Sequence, residues 1–120
     1  GVFAMYKIAI ILILLWSGLA VSATEKDHQI KYCAGIIEHY LPDKTRVDCL
    51  TETHAIEYDY GRKWAEAIGQ SLHYAAMTGK EAGIVIIYKG EKDDRYITRM
   101  NNVINRYQLP TKVWIVDYIK

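Results

Sequence analysis

Several features that would narrow the function of this sequence are missing. It repeats no segment and has no linker rich in proline, glycine and serine, so one domain is expected. No glycine-rich phosphate loop, Cys-x-x-Cys pair or nucleophile elbow is present, and the four histidines do not have zinc-ligand spacing. Neither sign of charge dominates, because 15 basic residues face 14 acidic ones. Net charge therefore gives no support to tight, non-specific nucleic-acid binding, although a local basic patch is still allowed.

The N-terminus has the three-part pattern of a secretory signal peptide. Met5-Tyr6-Lys7 is a short basic start, Ile8 to Trp16 is an unbroken apolar run, and Val21-Ser22-Ala23 offers small residues for cleavage. The apolar run is too short to cross a bilayer core of about 30 Å comfortably. We therefore expect residues 1–23, a signal peptide with upstream residues, to be removed near Ala23. This would leave a periplasmic or secreted domain over 24–120, without stable membrane insertion; an uncleaved anchor is the alternative.

The two cysteines, Cys33 and Cys49, both lie in the expected mature part. In an oxidising compartment such a pair often forms a disulfide. A bond between them would close a loop of about 16 residues and contribute on the order of 3 kcal/mol in the chain-entropy model. The alternative is two buried free thiols that pack as small apolar side chains. Export favours the disulfide.

Hydrophobic periodicity and turn residues predict the element order αβββαβαβ. Thr24 is expected to cap the first helix and Gly35 to end it. The first three strands would form an antiparallel meander, and the helical connections after them predict central or parallel strands. The predicted class is α/β, with helices flanking a central mixed sheet. The predicted helices are Glu25–Tyr32, Lys63–Met77 and Asp93–Tyr107, and the strands are Ile36–Leu41, Arg46–Leu50, Ala55–Tyr60, Gly83–Tyr88 and Lys112–Tyr118.

Two carboxylates fall opposite each other on the second and third strands. If residues 51–54 form the loop, Asp48 pairs directly with Glu57, and alternation turns Val47 and Cys49 to the other face. Like charges opposite one another destabilise a sheet unless they are solvated, share a proton or hold a cation. A divalent ion such as Mg²⁺ is typically held by one or two carboxylates plus water. A solvated outer face is the alternative interpretation.

The helix after these strands carries a polar stripe. At about 100° per residue, Lys63, Ala67, Gln70 and Tyr74 lie together, away from the apolar face centred on Ile68. This stripe would follow directly on the strand that carries Glu57. The arrangement favours a site between the paired acids and the helix.

These residues resemble the PD-(D/E)xK nuclease superfamily in three segments: Val47-Asp48, Ile56-Glu57-Tyr58-Asp59 and Gln70-Ser71-Leu72-His73-Tyr74. The resemblance implies a restriction-endonuclease-like core over about residues 25–90 and hydrolysis of phosphodiester bonds. It implies that Asp48 and Glu57 bind Mg²⁺, with Mn²⁺ as a substitute, and that Gln70 and Tyr74 position phosphate. The implied substrate is nucleic acid, with DNA preferred over RNA.

The chain departs from that family's pattern at two positions. Val47 stands where the family has proline, and Asp59 stands where it has a lysine that orients water. Asp59 would be a third metal ligand, and Lys63 would replace the missing lysine. Glu38 could add a further acid, whereas Pro42-Asp43 is interpreted as a turn. An alternative function is therefore a catalytically inactive, nuclease-fold binding module of the cell envelope.

Overall fold

The computed structural model describes residues 21–120, so most of the predicted signal peptide lies outside the described residues. This part of the chain forms a five-stranded mixed sheet with three α-helices. None of the helices within 21–120 combines the length and apolar character that crossing a bilayer requires. The predicted α/β class and the element order αβββαβαβ are confirmed.

The predicted elements are present, with ends that shift by at most two residues. Short 3₁₀ turns, Gly61–Lys63 and Glu91–Asp93, precede the second and third helices. The helices are α1 (Glu25–Tyr32), α2 (Trp64–Thr78) and α3 (Asp94–Tyr107). The strands are β1 (Ile36–Tyr40), β2 (Arg46–Leu50), β3 (His54–Tyr60), β4 (Glu81–Tyr88) and β5 (Thr111–Asp117).

The strands lie in the sheet in chain order, from β1 to β5. β1, β2 and β3 are antiparallel neighbours, whereas β3, β4 and β5 run parallel. Each parallel connection contains a helix, which is the usual way to return a chain to the same end of a sheet. The carboxyl ends of β3, β4 and β5 therefore share one edge of the sheet.

Helices cover both faces of the sheet. On one face, α2 and α3 pack on β4 around a buried cluster that includes Ile68, Ile84 and Met100. On the other face, Tyr32 and Cys33 at the end of α1 pack on a cluster that includes Tyr58 and Val85. Because Cys33 and Cys49 form a disulfide, α1 is tied covalently to β2, as predicted.

The capping prediction at α1 is half right. The Thr24 side chain accepts a hydrogen bond from the Asp27 backbone, and the Asp27 side chain accepts one from the Thr24 backbone, which is a complete capping box. Gly35, however, does not end the helix, since Cys33 already caps it in an extended conformation. Gly35 is required for a different reason: a Cβ there would lie 2.1 Å from the carbonyl oxygen of Leu50.

The predicted alternation of β2 is wrong at Val47. Cys49 packs in the cluster beneath α1, but Val47 packs with Tyr74 of α2, on the other side of the sheet. The β1–β2 ladder is interrupted here, since Glu38 has φ 56° and lies between the ladder pairs on either side of it. The pairs on either side keep the same register, so no residue is inserted at this point.

The polar stripe of α2 is also less uniform than predicted. Ala67 is fully buried in the cluster beneath α2 and α3, and Tyr74 is buried too. Gln70 is exposed and Lys63 is half-buried. The stripe therefore has a buried wall and a solvent-facing rim, because α2 is packed by both the sheet and α3.

Candidate active site

One open cavity of about 440 Å³ lies where β2, β3 and the first turns of α2 meet. It collects side chains that are up to 49 positions apart in the sequence, from Glu25 to Tyr74. All six predicted site residues line it: Asp48, Glu57, Asp59, Lys63, Gln70 and Tyr74. The predicted site therefore exists as a single concave surface.

The two central acids lie side by side, as the hairpin register requires. The β2–β3 ladder pairs Cys49 with Ile56, so the next pair outward is Asp48 with Glu57. The two side chains are within hydrogen-bonding reach of each other. The Tyr58 N–H also donates to Asp48 Oδ2 over 2.9 Å. Both acids are buried, at 8% exposure for Asp48 and 6% for Glu57.

Burial makes it costly for both acids of this pair to be ionised together. Burial, followed by the charge of Asp48, raises the pKa of Glu57 to about 10. Burial also raises the pKa of Asp48, although the Tyr58 N–H opposes that shift. At neutral pH the pair therefore retains a proton on Glu57. Glu57 Oε2 is fully buried and has no hydrogen-bond partner among the residues that the structure describes.

A second pair of acids lies beside the first. Burial, followed by the charge of Glu25, raises the pKa of Asp59 to about 7. The Tyr60 backbone N–H, which donates a hydrogen bond to Asp59 Oδ1 over 3.0 Å, opposes that shift. Glu25 comes from the first turn of α1, and burial raises its pKa as well. Sequence reasoning missed Glu25, because its approach to β3 depends on how α1 crosses the sheet.

The helix side of the cavity supplies a cation and neutral donors. Lys63, the last residue before α2, lies close enough to lower the pKa values of both Glu25 and Asp59 against the effect of burial. The Tyr74 hydroxyl faces the central acids, and burial followed by the charge of Glu57 raises its pKa to about 12. Tyr74 therefore stays protonated and able to donate. Gln70 offers an amide at the rim.

Two other acids considered from the sequence have structural roles. Glu38 forms ion pairs with Lys26 at 3.0 Å and with Arg46 at 3.7 Å, and it does not line the cavity. Asp43 accepts a hydrogen bond from the Thr45 N–H and holds the turn between β1 and β2, as its turn interpretation predicted. Neither acid lines the cavity, although the charge of Glu38 adds to the effect of burial in raising the pKa of Asp48.

The donor set suits a small, hard cation. Within residues 21–120, no three histidine, cysteine, aspartate or glutamate side chains are arranged to hold a metal ion as they stand. Asp48 and Glu57 nevertheless provide two adjacent carboxyl groups, and Glu57 Oε2 has an unused lone pair that an ion would satisfy. Mg²⁺ commonly binds to one or two carboxylates and keeps several waters. The residues present therefore fit Mg²⁺ at this pair, with Asp59 close by.

Comparisons of the chain with family models, with curated proteins and with solved structures found no match. The functional interpretation therefore depends on the chemistry of this cavity.

Proposed function

We propose that this protein is a small exported, Mg²⁺-dependent hydrolase of phosphodiester bonds with a nuclease-type site. One observation carries the proposal: five carboxyl groups line an open cavity, and a buried oxygen of the central one, Glu57, has no partner among the described residues. Such an arrangement is costly without a cation, because the acids must either stay protonated or repel one another.

The proposed ligands are Asp48 and Glu57, with Asp59 as a third acid that could turn toward the ion. An ion at this pair would replace the proton that Glu57 otherwise retains. When bound, Mg²⁺ would neutralise phosphate charge and lower the pKa of a water molecule. Mn²⁺ would serve in its place, since it also accepts carboxylate and water oxygens.

The remaining side chains would bind and orient the phosphate. Lys63 brings a positive charge to the acid cluster, and the protonated hydroxyl of Tyr74 is a fixed donor on the buried wall. Gln70 can donate from the rim. Hydrolysis forms a bond from a water oxygen to phosphorus, with loss of one proton from that water, and breaks the bond from phosphorus to the leaving oxygen, which takes up one proton. Lys63 would offset the charge on the phosphate oxygens as this happens.

Two further parts of the proposal concern topology and location. The order helix, three-stranded meander, helix, strand supports a restriction-endonuclease-like core, since it is the order that the family resemblance implies. The Cys33–Cys49 disulfide is compatible with export to an oxidising compartment. Together with the signal-like N-terminus, it supports a periplasmic or secreted protein.

The test is degradation of plasmid and of labelled oligonucleotides by the purified protein with Mg²⁺. Asp48→Asn should reduce cleavage by at least about a hundredfold, because it removes a ligand charge while keeping the side-chain shape. Asp43→Asn is the matched control, since it makes the same substitution in the neighbouring turn, outside the cavity. Equal cleavage by both variants and wild type would reject the assignment of Asp48.

The second candidate function is a non-catalytic binding module with the same fold. Asp59 favours it, because this acid stands where the PD-(D/E)xK pattern has lysine. This candidate predicts no cleavage with Mg²⁺ or Mn²⁺ at any pH. DNA cleavage that depends on Asp48 would exclude it.

A further inference from the structure

A second, smaller pocket lies at the carboxyl ends of the parallel strands. It has a volume of about 170 Å³ and is bounded by the last residue of β3 and by the 3₁₀ turn before α3. Tyr60 is the last residue of β3 and Lys89 directly follows β4, so the ends of two neighbouring parallel strands bring these residues together. Besides the buried Asp93, the pocket is lined by four basic side chains and two tyrosines: Arg62, Lys89, Lys92, Arg95, Tyr60 and Tyr96.

The charges in this pocket are strongly one-sided. Four exposed cations, Arg62, Lys89, Lys92 and Arg95, face a single carboxylate, Asp93. That carboxylate is buried and already accepts a hydrogen bond from the backbone N–H of Lys89 over 2.8 Å. Across residues 21–120, none of the four cations lies within 4.0 Å of a carboxylate oxygen. The pocket is therefore a local basic patch, a feature that the balanced net charge of the chain does not exclude.

Aromatic rings hold three of these cations in place. The Lys89 ammonium lies 4.1 Å from the centre of the Tyr60 ring, and the Arg62 guanidinium lies 5.3 Å from the same ring. The Arg95 guanidinium lies 4.7 Å from the centre of the Tyr96 ring. A cation held over a ring is restrained without using all its N–H donors, which stay available to an anion.

The basic pocket adjoins the acidic cavity through one short segment. Asp59 and Lys63 line the acidic cavity, while Tyr60 and Arg62, between them in the chain, line the basic pocket. The two sites also share an electrostatic neighbour: burial raises the pKa of Glu25, and the charges of Lys63 and Arg62 both lower it. A polyanion with one phosphate at the acidic cavity would therefore meet this basic pocket next.

We propose that the pocket of Arg62, Lys89, Lys92 and Arg95 binds the phosphates that flank the cleaved linkage of a nucleic-acid strand. The inference rests on the proposed function, because it takes the acidic cavity as the place of the reacting phosphate. It predicts that the protein prefers a polymeric substrate to a small phosphodiester. Recognition would be through the backbone, independent of base sequence.

The experiment measures binding of a fluorescent single-stranded oligonucleotide by anisotropy, in EDTA and at several NaCl concentrations. Without divalent ions no cleavage is expected, so binding is measured separately from hydrolysis. Four phosphate contacts on a single strand predict that the logarithm of Kd rises with log [NaCl] with a slope of about 3. A duplex of the same length, as a second arm, should give a slope of about 3.6 if it makes the same contacts.

The test variant changes all four pocket cations to glutamine, and the control changes four exposed cations elsewhere. The control positions are Lys31, Arg106, Lys112 and Lys120. The two variants have equal net charge, so a difference between them reports position rather than overall charge. The pocket variant should bind at least about tenfold more weakly than wild type and lose most of the salt dependence, whereas the control should stay within about twofold. Matching thermal melts would show that both variants are folded.

Equal binding by the two variants would overturn the inference, as would wild-type binding to phosphatidylglycerol vesicles but not to the oligonucleotide. The outcomes separate this inference from the proposed function. Loss of binding in the pocket variant, with no cleavage by wild type in Mg²⁺, would keep the polymer site and reject hydrolysis. Cleavage that depends on Asp48, with unchanged binding by the pocket variant, would keep hydrolysis and reject the pocket.

Discussion

The carboxyl group of Glu57 should make the metal-free protein less stable as the pH rises. Its pKa is raised from the ordinary value of 4.5 to about 10 by burial and by Asp48. Between these two values the folded protein binds a proton that the unfolded chain has released. The free energy of unfolding therefore falls by about 1.4 kcal/mol per pH unit for this one group. Asp59, whose pKa rises from 3.8 to about 7, adds a similar slope only below about pH 7.

Glu57→Gln removes the titrating group while keeping the size of the side chain. Between about pH 6 and pH 8, wild type should lose about 3 kcal/mol through Glu57 alone, and the variant should not lose this part. The sign follows from the raised pKa: the stabilising contribution is complete at acidic pH and is lost as the pH rises toward the folded-state pKa. Glu52→Gln, at an exposed position in the β2–β3 loop, should keep the wild-type slope.

The measurement is urea denaturation in EDTA across this pH range, followed by tryptophan fluorescence. Added Mg²⁺ should flatten the wild-type slope, because an ion replaces the retained proton. Parallel loss of stability in wild type, Glu57→Gln and Glu52→Gln would refute the reasoning. It would mean that Glu57 is ionised and well solvated in the folded protein.

Three further predictions concern stability. Replacing Cys33 and Cys49 by alanine should lower the free energy of unfolding by about 3 kcal/mol in urea melts, since the disulfide closes a loop with a sequence separation of 16; an unchanged midpoint would contradict this. Gly35→Ala should cost about 2 kcal/mol or more, because its Cβ would lie 2.1 Å from a backbone oxygen. Gly69→Ala, with no neighbour within 4 Å in mid-helix, should instead gain up to about 1 kcal/mol, and calorimetry giving both the same sign would refute the packing argument. Mg²⁺ should raise the melting temperature of wild type but not of Asp48→Asn; equal shifts would place the ion elsewhere.

The hairpin could be predicted because its information is local. A four-residue loop and period-two alternation fix which residues of β2 and β3 face each other, and the observed pairing of Cys49 with Ile56 follows. The disulfide followed from the number of cysteines and the expected compartment. The order of helices and strands followed from periodicity and from turn residues such as Gly61 and Gly79.

The parts that could not be predicted depend on contacts between distant segments. Glu25 reaches the acidic cavity only because α1 crosses the sheet toward the end of β3. Val47 packs with Tyr74 of α2, a contact between segments 27 residues apart that strand alternation does not predict. The basic pocket brings Arg62, which precedes α2, together with Lys89 and its neighbours, which follow β4. Because a helix and a strand separate these residues in the chain, no local sequence pattern predicts the pocket. Tertiary packing decides all three.

The central claim is that Asp48 and Glu57 form a cation site, and crystallography with Mn²⁺ tests it most directly. An anomalous difference map from crystals of the protein soaked in Mn²⁺ should show a peak between the two carboxyl groups. That peak should lie about 2 Å from Glu57 Oε2, the buried oxygen without a partner in the described chain. A fully soaked crystal with no peak at this pair, and with the Glu57 side chain still hydrogen-bonded to Asp48, would contradict the claim.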